Sequence, residues 1–162
     1  AANPGIHVIM QIDDVSEAGI EVGYSDAKSD ENTLGVTSFD TPTLANGVTD
    51  GFFVGYDTDT TTQKGAALVS GGATDTDAVV NLGSATAANP FVDATDFNIV
   101  VQGFANAAYG IVDHNLSQAG GLSAGPDAAV LMRPPLVGVT RNGTAKFPVI
   151  DLIRVWRERV AQ

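Results

Sequence analysis

The run Ile6-His7-Val8-Ile9-Met10-Gln11-Ile12 decides the fold class. Successive side chains of an extended chain point to opposite faces. Ile6, Val8, Met10 and Ile12 therefore share one face, and His7 and Gln11 take the other. That is the pattern of a strand with one side in a core. Outward from it, short apolar runs recur at residues 20–24, 34–39, 52–56, 66–70, 78–82, 97–104, 107–112, 128–132 and 136–140. Gly, Asp, Asn, Thr or Pro fills the gaps, and no helical stripe of any length precedes residue 148. Spacing of this kind predicts a mainly β chain, an antiparallel sandwich or barrel rather than alternating strands and helices.

One hairpin follows from register. Arg141-Asn142-Gly143 separates the runs 136–140 and 144–147. A two-residue Asn-Gly turn would set Val139 against Lys146. A three-residue loop with Gly143 in the left-handed position sets Val139 against Ala145 and Val137 against Phe147. Matching apolar faces favours the longer loop. The tail from Pro148 to Val160 supports two readings. As a helix it has Pro148 at its first position, Asp151 in the first turn and arginines near its end, with Val149, Leu152, Ile153, Trp156 and Val160 as a stripe. As a strand it is rich in β-branched residues. The helix is the slightly preferred of the two.

The chain has 162 residues and 16.6 kDa, the size of one domain that can bury about 70% of its unfolded surface without staples. No cysteine is present, which excludes a disulfide framework, a Cys-type zinc site and a cysteine nucleophile. Nineteen acids against eight bases give a net charge of −11, which argues against direct nucleic-acid binding. The charge is unevenly placed. Residues 1–132 hold seventeen acids and two bases, Lys28 and Lys64, for −15. Residues 133–162 hold six bases and two acids, for +4. An acidic β-rich body with an arm at residues 1–5 thus passes into a basic hairpin and tail of the same domain. Opposite fields on body and tail can steer association between copies. The longest uncharged stretch at mid-chain, 97–112, is 16 residues and broken by polar groups, short of the roughly 20 a membrane helix needs. The opening Ala1-Ala2-Asn3-Pro4 lacks a basic and an apolar leader region, which fits removal of an initiator Met or of a longer leader.

The chemical motifs do not assemble into a catalyst. Gly121-Leu122-Ser123-Ala124-Gly125 matches the G-x-S-x-G elbow. That elbow needs a strand before it, a helix after it and a later histidine, whereas 115–120 reads as loop and no histidine follows His114. Asp113 and His114 are adjacent, and adjacent residues on a strand face opposite ways. Asp57-Thr58-Asp59 and Asp75-Thr76-Asp77 offer oxygen ligands, but neither continues into a calcium-loop pattern. They read as solvated turns. No cofactor or metal site is expected, and the chain is expected not to be an enzyme.

The arm Ala1-Ala2-Asn3-Pro4-Gly5 leading into the 6–12 strand, and the Ala/Gly/Thr/Asp-rich loops of residues 40–90, give a texture that resembles head decoration or cement proteins of tailed bacteriophages. The resemblance implies a β domain that oligomerises on a capsid, with an arm on the shell lattice. The expected function is therefore a non-enzymatic structural protein of a homo-oligomeric assembly in a virion. Its expected partners are itself and a capsid protein, with no membrane partner. The expected contact residues are Ile6, Val8, Arg154, Trp156, Arg157 and Arg159. The alternatives are a phage tail-tube subunit and a secreted or cell-surface β-sandwich that binds glycan or calcium.

Overall fold

The computed structural model describes residues 3–14, 16, 18–27, 44, 47–57, 67–72, 78–82, 94, 96–104, 107–112, 119–123, 125–126, 136–140 and 148–157. The expected strands at 34–39 and 128–132, the hairpin loop and its second arm at 141–147, the acids Asp59, Asp75 and Asp77, and Arg159 lie outside these residues. Ten strands lie among the described residues: β1 Pro4–Gln11, β2 Ala18–Ser25, β3 Gly51–Asp57, β4 Ala67–Gly71, β5 Ala78–Asn81, β6 Asp96–Phe104, β7 Ala107–Val112, β8 Ala119–Leu122, β9 Leu136–Thr140 and β10 Val149–Arg157. They make two five-stranded sheets, a front sheet β10-β1-β6-β7-β8 and a back sheet β5-β4-β3-β2-β9, with every pairing antiparallel. This is the sandwich rather than the barrel. No α-helix occurs among the described residues, and no helix there is long and apolar enough to cross a membrane.

The core lies between the sheets and follows the period of two. Ile6, Val8 and Met10 of β1 and Phe97, Ile99 and Val101 of β6 face Ile20, Val22 and Tyr24 of β2 and Phe52, Val54 and Tyr56 of β3. Each large apolar side chain buried in this way contributes about 1.5–3 kcal/mol. Gly103 stands on the same face of β6, and a side chain there would meet the Phe52 ring. The glycine is what lets Phe52 fill the space. Tyr24 ties the layers together: its hydroxyl donates to the Gly5 carbonyl at 3.0 Å, and its ring stacks on Phe52 with centroids 5.3 Å apart.

The outer faces of the two sheets differ. Strand β2 is buried at all eight positions, and Phe53 and Val69, on the outer side of the back sheet, are both fully buried. Strands β1 and β6 instead alternate between buried and partly open positions. The front sheet therefore carries the accessible face.

Two sequence expectations change. The tail is a strand and not the preferred helix. β10 pairs with β1 from Pro4↔Arg157 to Gln11↔Val149, with an irregularity between Ile9 and Met10. That ladder satisfies its backbone, and Val149, Ile150, Ile153, Val155 and Trp156 favour the pleated form. The arm is shorter than residues 1–5, because Pro4 and Gly5 already belong to β1, a strand flanked on both sides. Proline is tolerated there as the first residue of its strand.

Candidate interaction edge

Strand β10 closes one side of the front sheet with nine residues, Val149-Ile150-Asp151-Leu152-Ile153-Arg154-Val155-Trp156-Arg157. Residues opposite each other in an antiparallel pair share a face. Val155 lies opposite Ile6, Ile153 opposite Val8 and Ile150 opposite Met10, so these three point to the core side. Yet Ile150, Ile153 and Val155 are 39, 49 and 51% exposed, while Ile6 and Val8 are 2 and 0% exposed. Among the described residues, close cover by the second layer reaches β1 and not β10. β10 packs on β1 and makes at most marginal contact with any other strand. Among the described residues the result is an apolar strip beside an unpaired row of backbone groups.

The outer side of β10 is chemically different. Trp156 lies over Gly5, where any side chain would collide with the indole. Arg154 stands opposite His7, whose Nε2 lies 3.2 Å from Asn98 Oδ1 on β6. Gln11 donates from Nε2 to the Ala94 carbonyl at 2.8 Å. Phe104 and Tyr109 at the far strands are each 36% exposed. An aromatic, a guanidinium and a row of amide and imidazole groups thus share one open face.

The structure gathers Arg154, Trp156 and Arg157 onto this single edge strand. Ile6 and Val8, expected as contacts, are core residues whose buried side chains offer nothing to a partner. Sequence reasoning passed over Ile150 and Val155. Both fall off the helical stripe; the strand's period sets Val155 beside Ile153, and the irregularity between Ile9 and Met10 brings Ile150 to the same side.

The catalytic motif also finds its place. Strand β8, Ala119–Leu122, does run into Ser123, contrary to the loop expected at that point, but Ser123 is exposed just past the strand's end. Gly125 and Pro126 follow it without helical structure. His7 on β1 is three strand spacings from β8, about 14 Å, so it cannot serve Ser123. Asp113 and His114 lie outside the described residues. Among the described residues no three His, Cys, Asp or Glu side chains are placed to hold a metal ion.

No protein-family model and no curated protein matches the sequence. Among solved structures the chain is similar to sheep galectin-11 in a complex with glycerol, with a TM-score of 0.50 and 8% identity over 96% of this chain and 91% of that one. At that identity the likeness concerns the fold, a galectin-like β-sandwich.

Proposed function

We propose that the chain is a structural protein that acts without catalysis, as a β-sandwich that joins copies of itself into an oligomer and in that form decorates a virus capsid. The observation that carries self-association is β10. Six large hydrophobic side chains are exposed among the described residues, and Val149, Ile150, Ile153 and Val155 of them lie on this one strand. Contiguous exposed apolar surface beside an unpaired edge is the common mark of an interaction site. The capsid as second partner rests on the resemblance of the arm and the Ala/Gly/Thr/Asp-rich loops to decoration proteins.

Sedimentation equilibrium tests the first half, with an oligomer expected at micromolar protein. Mass spectrometry of purified virus particles from the source of the chain tests the second, with this protein expected among the virion components. Deleting the tail is a poor test, because it would strip β1 of its neighbour and unfold the front sheet. A second reading, a surface module that binds glycan, draws on the outer face, where Trp156 could stack on a sugar ring beside the polar side chains of Arg154, His7 and Gln102, the last standing opposite Gly5 on β6. A chain that stays monomeric, and whose Trp156 fluorescence shifts on adding a glycan, overturns assembly in favour of that module.

A further inference from the structure

Among the described residues four strand edges are open: β8 and β5 with four residues each, β9 with five and β10 with nine. Of the six large hydrophobic side chains exposed among the described residues, four stand on β10. A second β10 therefore offers apolar surface to match its own. The charges of the strand choose the direction. Asp151 sits toward its start and Arg154 and Arg157 toward its end. A parallel, in-register pair would set arginine on arginine, whereas an antiparallel pair can keep Arg154 and Arg157 off their own copies.

From this we propose that two copies pair antiparallel through β10, about a two-fold axis at Val155, into a continuous ten-stranded front sheet. The inference rests on the self-association reading above and adds its partner surface and register. Three physical conditions select the axis. A two-fold perpendicular to the sheet keeps inner side chains opposite inner ones, so the axis falls on a residue and not between two. An axis on Arg154 would oppose two guanidinium groups. An axis on Ile153 would draw the irregular stretch at Ile150 and Asp151 into the pair. With the axis on Val155, the two Val155 side chains meet on the inner face, and Ile153 lies under the aliphatic stem of Arg157 from the second copy. On the outer face, Arg154 of each copy lies across from Trp156 of the other, a cation–π pair made twice.

The chain has no cysteine, so single substitutions report cleanly. Val155→Cys is expected to give a disulfide-linked dimer under mild oxidation, because residues on the axis lie within disulfide reach. Ile153→Cys is expected not to, since its copy is displaced about 13 Å along the strand. Val155 is 51% exposed, so charge is tolerated there without loss of the fold. Val155→Lys and Val155→Glu are each expected to weaken association more than about tenfold by opposing like charges. An equimolar mixture of the two is expected to restore the dimer, with circular dichroism unchanged throughout. An oligomer that persists in Val155→Lys, or a Val155→Cys chain that does not cross-link, overturns the β10 pairing while leaving self-association standing. A wild-type chain that is monomeric at every concentration overturns both.

Discussion

Tyr24 has two jobs that meet in one side chain. Its ring fills the core against Phe52, and its hydroxyl reaches across to the Gly5 carbonyl on the opposite sheet. Gly5 in turn leaves the room that Trp156 occupies on the outer face. A core contact and a surface aromatic are thus linked through one glycine. Replacing Tyr24 by Phe keeps the ring and removes the hydrogen bond, leaving a buried carbonyl without its donor. The expected loss of stability is about 1–2 kcal/mol, read from urea unfolding. Burial raises the Tyr24 phenol above its ordinary value of 10.0, so the folded state holds that proton more tightly than the unfolded chain does. Stability from this source is whole below pH 10 and is lost as pH rises through the higher folded value. Tyr24→Phe is expected to flatten that part of the alkaline unfolding curve. An unchanged slope would place the alkaline transition on other groups.

Between elements, the joint of β2 and β3 shows how short polar contacts set strand ends. Asp26, just past β2, accepts from the Thr49 amide at 3.1 Å, the Thr49 hydroxyl at 2.7 Å and the Asp50 amide at 3.1 Å, while its own amide donates to the Asp50 carbonyl at 3.0 Å. Burial pushes the Asp26 carboxyl up, but these hydrogen bonds together outweigh it and hold the group below its ordinary value. Asp26→Ala is expected to cost about 1–3 kcal/mol at neutral pH. The depressed value makes the contribution full above about pH 4 and lost as pH falls through the folded value, so variant and wild type are expected to converge in acid. Urea titrations at neutral and acid pH check this. The strands that were legible in the sequence, such as 52–56, 97–104 and 136–140, are those with branched or aromatic side chains between turn residues. Ala119-Gly120-Gly121-Leu122 was not, because three small residues carry no period and only pairing with β7 makes them β8. The tail was misread for a related reason. Its apolar residues fit a stripe of 3.6 as well as a pleat of 2, and the vacant side of β1, a tertiary fact, decides between them.

For the whole molecule, the division of charge into a body of −15 and a tail of +4 suggests an electrostatic joint, with the tail of one copy on the body of the next. The fold weakens that picture. Strand β10 is part of the sandwich, held along its length by β1, and its free side presents backbone groups and apolar side chains more than charge. The two geometries differ in their response to salt. Pairing through β10 brings together two chains of net charge −11 that repel each other. Raising the ionic strength from about 0.01 to 0.15 M shortens the screening length from about 30 to 8 Å and removes most of that repulsion. The apolar and cation–π contacts at the edge lie inside that length and are little affected. Association through β10 is therefore expected to strengthen with salt over this range. A tail seated on an acidic body would instead weaken, because the same screening removes its attraction. Sedimentation velocity at the two salt concentrations separates the cases by sign. The pairing also closes: an isologous contact uses each β10 once, so growth stops at the dimer and does not run on into fibres. A dimer that tightens with salt and does not polymerise is the joint expected of β10, and a salt-dispersed polymer would assign assembly to the charge division instead.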